Sequence, residues 1–177
     1  MIKPYRDLNT YFRELYGHRV HKLTVDAGLT CPNRDGTIST RGCIYCNNQG
    51  SGTGAFSRGL SIREQLEQSK IPVARRFKAR KFIAYFQSYT NTYAPVATLA
   101  RLYDEALAVE DVIGLSVGTR PDCLPDEVLD LLRQKTDEVV AEMAAENPVI
   151  ANINDSFAAF RAASDDWQRI SEQALLV

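Results

Sequence analysis

The sequence predicts an α/β fold: about three strand-helix units in series, followed by an α-helical tail. Runs rich in β-branched and aromatic residues stand at residues 20–25, 81–87 (KFIAYFQ) and 111–117 (DVIGLSV). Each is followed by a loop and then by apolar residues at three- and four-residue spacing. Residues 137–177 carry no strand pattern and read as helix throughout. Strands alternating with helices in this way imply a parallel sheet with right-handed crossovers.

The elements follow in order. Leu8, Tyr11, Phe12 and Leu15 recur at helical intervals, so residues 7–16 form a short helix. The alternation of Val20, Lys22, Leu23, Thr24 and Val25 marks the first strand. The segment after it holds Gly28, Pro32, Gly36, Gly42, Gly50, Gly52 and Gly54, too many turn residues for a regular element. Ser61 with Glu64 makes a capping box that opens the next helix. After the strand at 81–87, Pro95 starts a helix from its first turn, with Val96, Leu99, Leu102, Tyr103, Ala106 and Leu107 on one face. A further helix begins near Pro125 with Val128, Leu131 and Leu132. The tail reads as two helices broken at Asn147-Pro148, the second with an apolar face of Ile150, Ile153, Phe157, Phe160, Trp167, Ile170 and Ala174.

A chain of 177 residues with 45% hydrophobic content is long enough for a substantial core. The N-terminal stretch MIKPYRDLNTYFREL is polar, and no apolar run is long enough to cross a bilayer, so a cytoplasmic location and no membrane partner are expected. The net charge of -1 conceals an asymmetry: only Arg161 and Arg169 among the 21 basic residues follow Lys135, whereas Asp137, Glu138, Glu142, Glu146, Asp155, Asp165, Asp166 and Glu172 make the tail acidic. That change of sign divides the chain into residues 1–136 and a tail, 137–177, of different origin. The basic run RRFKARK at 75–81 suits a polyanion such as RNA, or else is a solvated helix end.

The most chemically informative residues are Cys31, Cys43 and Cys46, a C-x11-C-x2-C cluster in one glycine-bearing loop. In a reducing cytosol, clustered thiols are more often metal ligands than disulfide partners. A closed structural zinc site takes four ligands, whereas three thiolates suit an iron-sulfur cluster that leaves one iron open to a small molecule. Loops after parallel strands face ligands at the carboxyl ends of the sheet. The loop at 88–93 and the loop at 118–123 therefore join the cysteines as candidate site loops.

The blocks VDAGLTCPNRDGTISTRGCIYCNN, FQSYTNTYAP and GLSVGTRPDCLPDEVLDLL, in this order, resemble the radical S-adenosylmethionine family of bacterial YhcC and YtqA proteins over about residues 5–136. The x11 spacing is similar to that of the catalytic subunit of Elongator, which acts on tRNA wobble uridine. The resemblance implies a 4Fe-4S cluster held by Cys31, Cys43 and Cys46, with the fourth iron chelated by S-adenosylmethionine. It also implies one-electron cleavage to a 5'-deoxyadenosyl radical, a tRNA partner, and a reductant such as flavodoxin or ferredoxin. The family scaffold is a six-unit strand-helix barrel, so three units imply a partial (βα) radical-SAM barrel, with residues 1–136 as its N-terminal part.

By the same resemblance, Gln87, Ser88, Thr90 and Asn91 are candidates to receive the methionine amino group, the alternative being loop-capping hydrogen bonds. Gly42 lets the backbone approach the cluster, and Tyr45 lies against the cluster or adenine unless it is an ordinary packed aromatic. Thr119 and Arg120 can meet a ribose or carboxylate, or Arg120 can simply pin a turn. Cys123 reads as a buried thiol, and His18 and His21 as structural or surface groups.

The tail segment DSFAAFRAASDDWQRISEQALL resembles the C-terminal helices of solute-binding proteins of TRAP transporters. That likeness implies a fusion of two unrelated ends and no transport function, since the two lobes of a solute site are absent. The alternative is a helical cap over the open half-barrel. Self-association through that open half or through the tail helix is expected from uncovered apolar surface. Two function classes follow: a radical enzyme or its truncated, inactive descendant, and a non-catalytic zinc module or fusion fragment, with Cys123 or a histidine as a fourth ligand.

Overall fold

The computed structural model describes residues 5–171, so Ala174 of the apolar tail face lies outside the described residues. The chain divides into two compact units, Met1–Leu131 and Leu132–Val177.

The first unit is built on a three-stranded parallel sheet in the order β1-β2-β3. Helix α1 (Leu8–Tyr16) is capped by Asp7, whose side chain accepts from Thr10 N, and ends at Gly17 in the left-handed conformation. Strand β1 (Arg19–Val25) follows, and the long cysteine loop leads to α2 (Ile62–Phe77). The Ser61/Glu64 capping box forms as expected at the start of α2. Strand β2 spans Ala79–Phe86, two residues earlier at its start than the apolar pattern indicates, because the basic residues of the 75–81 run belong partly to the strand. Helix α3 (Val96–Leu107) places Pro95 at its N-cap rather than within its first turn, where the missing N–H equally costs nothing. Strand β3 (Val112–Val117) completes the sheet.

The pleat sorts the side chains. Leu23 and Val25 stand in register with Ala84 and Phe86, and all four are buried beneath helices. Leu66 of α2 and Leu99, Tyr103 and Ala106 of α3 complete this core, with the Tyr103 ring edge-on to Phe86 at 5.2 Å. The alternate residues Lys22, Thr24, Ile83 and Tyr85 point to the other face and stay partly exposed. There the Lys22 ammonium lies 4.9 Å from the centre of the Tyr85 ring. Parallel sheets ordinarily have both faces covered, so this sheet is finished on one side only.

Helix α4 (Asp126–Glu146) runs without a break through residues 136 and 137, where composition and charge change. Lys135 bonds Glu138 at 2.8 Å across that point, and Thr136 Oγ1 donates to Leu132 O, so local helix chemistry bridges the change. The first tail helix is thus the continuation of the helix that starts after Pro125. The expected break at Asn147-Pro148 is present: α4 ends at Glu146 and α5 is Pro148–Ser171. On α5, Ile153, Phe157, Phe160, Trp167 and Ile170 are each more than half exposed. Among the described residues, no helix is long and apolar enough to cross a membrane.

Candidate metal centre

Three loops meet at the carboxyl end of the sheet, and their backbones are stitched together. Thr90 N donates to Thr30 O and Tyr89 N to Gly50 O, which ties the loop after β2 to the cysteine loop. Asn91 N donates to Gly118 O, which ties it to the loop after β3. Tyr89 sits in the left-handed region at φ 62, and its hydroxyl reaches back to Asn48 O at 3.1 Å. At the base of the cysteine loop, the buried Gln65 side chain accepts from Asp26 N at 2.7 Å and donates to Asp26 O at 2.8 Å, replacing the partner strand that β1 lacks beyond its end.

Gly50 shows how closely the loops approach. Its φ is +63, and a Cβ there would stand 2.7 Å from Tyr89 N and 2.5 Å from the Tyr89 ring. Gly50→Ala is expected to destabilise the first unit by about 1–3 kcal/mol, the usual cost of a non-glycine held in this conformation, increased by the clash. A lowered midpoint in urea checks this.

Cys31, Cys43 and Cys46 line one cavity of about 240 Å³ together with Tyr45, Gln87, Tyr89, Thr90, Thr119 and Arg120. Cys43 and Cys46 close a tight turn, Cys46 N donating to Cys43 O at 3.0 Å. Among the described residues, however, no three His, Cys, Asp or Glu side chains converge on one ion position. A single zinc ion bound at 2.3 Å needs its thiolates within about 4 Å of one another, whereas ligands of a multi-iron cluster each hold a different iron and stand farther apart. Cys123 is buried and borders a separate cavity beside Pro95 and Pro125. His18 immediately precedes β1 and His21 is its third residue, so they stand about 23 and 13 Å from the Val25 end of the strand at 3.3 Å per residue. His21 stacks on Phe77 and His18 on Tyr16.

The surroundings favour thiolate at Cys43. The Tyr45 hydroxyl and the Asn33 amide, 3.1 Å from Sγ, hydrogen-bond to it, and the Arg120 and Arg34 guanidinium groups add positive charge; together they lower its pKa below that of an ordinary thiol. The same bond holds the Tyr45 hydroxyl proton and raises its pKa. Cys123 shifts the other way, pushed up chiefly by burial. Iodoacetamide should therefore modify Cys43 well before Cys123 at neutral pH in the metal-free chain. Asn33→Ala should move the rise in Cys43 alkylation to higher pH, as peptide mapping would show.

The remaining candidates divide. Tyr45 is 83% exposed and engages the cysteine loop through its hydroxyl, not through ring packing. Gln87 and Thr90 border the cavity. Ser88 is fully buried against Gly52, where any Cβ would meet Ser88 Oγ, and that oxygen has no hydrogen-bond partner. Asn91 is also fully buried; its Nδ2 donates to Phe86 O at 3.0 Å and Gly118 O at 2.9 Å, and its Oδ1 is unpaired. Asn91 is thus a clip between strand ends. Thr119 is engaged by Thr92, whose hydroxyl donates to Cys123 O and stands 2.5 Å from Thr119 Oγ1. The Arg120 fork is bidentate on Asp122 at 2.8 and 2.6 Å, which raises the arginine pKa and lowers that of the carboxylate, so one edge of the guanidinium serves the turn.

Sequence reasoning missed Asn33 and Arg34. Arg34 donates to Cys46 O and Asn47 O at 3.3 and 2.6 Å and lies over the Tyr89 ring. The space at Gly42, expected to admit a cluster, is taken by this guanidinium: a Cβ there would stand 2.9 Å from Arg34 Cζ. The position of both residues inside the cysteine loop was the available signal.

The chain is 46% identical over 132 residues to an uncharacterized protein, YtqA, of Bacillus subtilis, a match covering 75% of this chain and 41% of the relative. It is 47% identical over 123 residues to the protein YhcC of Escherichia coli, covering 70% of this chain and 38% of the relative. It is 36% identical over 126 residues to an uncharacterized protein, MJ0486, of Methanocaldococcus jannaschii, again covering 70% and 38%. No family model matches the chain, and no solved structure matches it significantly. The chain spans about two fifths of the length of the curated relatives it matches.

Proposed function

We propose that this chain carries the cluster-binding part of a radical S-adenosylmethionine enzyme, with Cys31, Cys43 and Cys46 as ligands of a 4Fe-4S cluster. What supports this reading is the disposition of the thiols: all three border one cavity at the carboxyl ends of three parallel strands. Three thiolates fit a multi-iron group that leaves one iron open to a small molecule. The one-sided sheet fits the first units of a partial barrel whose inner face is lined by Lys22, Thr24 and Tyr85.

When bound, the cluster supplies a single electron to S-adenosylmethionine and so opens a carbon-sulfur bond. The chain's own residues do the rest. Hydrogen bonds from Tyr45 and Asn33 lower the Cys43 pKa and so favour the thiolate that would ligate iron. Arg34 braces the carbonyls of Cys46 and Asn47 and fixes the Cys43–Cys46 turn. Gln87 and Thr90, which border the cavity, are the groups best placed to bind a polar cosubstrate, while Asn91 and Thr119 keep the loops in register. The tRNA partner, the reductant and the origin of the tail belong to the same proposal. The reading is tested by anaerobic reconstitution with iron and sulfide, followed by electron paramagnetic resonance of the reduced protein: S-adenosylmethionine should change the cluster signal, and an unchanged signal would refute an open iron.

A further inference from the structure

The opposite end of the sheet holds a second cavity, of about 710 Å³, and it is basic. Arg13 of α1, His18 and Arg19 at the start of β1, Lys78 at the end of α2, and Arg80 of β2 line it, with no acidic residue in the lining. Among the described residues, none of these cations forms an ion pair with a carboxylate. Arg13 reaches only Asn9 Oδ1, at 3.4 Å, and Arg19 only Phe77 O, at 3.5 Å. His18 Nδ1 and Arg19 Nε are buried without a hydrogen-bond partner. Buried polar atoms without partners are costly.

Local structure explains only part of this cluster. Basic residues in the last turns of α1 and α2 answer the negative helix ends, which accounts for Arg13, Arg75 and Arg76. It does not account for Arg19 and Arg80, which stand on strands. Nor does it account for Lys78, which caps α2 with φ 56, a conformation where glycine is the ordinary residue. The net charge of -1 for the whole chain does not reveal this cluster, because residues 137–177 contribute eight acidic and two basic residues.

We infer that this cavity binds the phosphate groups of a single-stranded RNA backbone. The cations come from four elements and extend along α2 to Arg75 and Arg76, which suits repeated phosphates better than a lone one. Tyr16 and His18 lie nearly parallel, 10° apart, beside them and offer a stacking surface for a base. The site is distinct from the cysteine cavity at the far end of β1. It shares with the proposed function only RNA as the class of partner, and it needs no cluster.

The test is fluorescence anisotropy of a short labelled single-stranded RNA with the metal-free 177-residue chain over a range of salt concentrations. Arg13→Gln/Arg80→Gln alters two exposed side chains, and an unchanged melting curve confirms its fold. The double variant should bind at least about tenfold more weakly at low salt, and the slope of log affinity against log salt should shrink by about 1.4, from two phosphate contacts at 0.7 each. Arg101→Gln, on α3, should bind as the parent does. Equal affinity and slope in parent and double variant would overturn the inference. So would a parent chain that binds no RNA, or one in which inorganic phosphate binds at Arg13 and Arg80 while RNA does not. Because no iron is present, failure here leaves the cluster reading untouched, and failure of cluster assembly leaves this one untouched.

Discussion

Replacing Cys31, Cys43 or Cys46 singly by alanine is expected to abolish cluster retention after anaerobic reconstitution, whereas Cys123→Ala should load iron and sulfide as the parent does. The reasoning is geometric before it is chemical. The three loop thiols border one cavity, while Cys123 is buried in the turn after β3, where burial chiefly pushes its pKa up. A cubane on two thiolates has an iron exposed to solvent and exchange in addition to the cosubstrate position, so loss of any one ligand should be nearly complete rather than graded. Iron and sulfide analysis after desalting reads this out. Equal loading in all four variants would defeat the assignment. Loss in Cys123→Ala alone would move the site into the other cavity.

Asn91→Ala is expected to cost about 3–4 kcal/mol, the larger stability effect, although Asn91 touches no metal. Its amide makes two buried hydrogen bonds, each worth roughly 1–1.5 kcal/mol, and truncation adds a void at a fully buried position. The buried Tyr103 hydroxyl, whose pKa burial pushes up to about 12, donates to Asn91 O at 2.7 Å and anchors the same loop from α3. The backbone bonds from Asn91 N to Gly118 O and from Gly118 N to Phe86 O persist in the variant, so the 118–123 loop should loosen against the end of β2 rather than detach, and Thr119 and Arg120 should hold their register with the cysteine loop less firmly. Chemical denaturation should show the lower midpoint, and cluster loading should fall even though every thiol is intact. A midpoint within about 1 kcal/mol of the parent's stability would show that the loop is held elsewhere.

The parts of the fold legible in the sequence are those written in local periodicity. β1, β2 and β3 alternate or run apolar over six to eight residues, and the helices repeat at 3.6, so pattern suffices. The Ser61/Glu64 box and the Asn147-Pro148 break are likewise short-range chemistry. The boundary read at 136/137 came from composition, and α4 crosses it because helix propensity and Lys135–Glu138 pairing ignore net charge. The site was legible in its thiols and less so in its supports. Asn33 on Cys43, Arg34 filling the space at Gly42, and Tyr89 against Gly50 depend on a loop path that no periodicity describes. The assignments of Asn91, Thr119 and Arg120 as cosubstrate contacts were made from position at strand ends. That position also makes them the residues that bind one loop to the next, and Asn91, Thr119 and Asp122-bound Arg120 are so engaged.

Whether the cysteine cavity holds a cluster with an open iron is decided by assaying the reconstituted 177-residue chain for reductive cleavage of S-adenosylmethionine to 5'-deoxyadenosine. 5'-Deoxyadenosine should form only with dithionite or another one-electron donor and should disappear in each of the three cysteine variants. A reconstituted chain that binds zinc with four protein ligands and forms no 5'-deoxyadenosine would contradict the cluster reading.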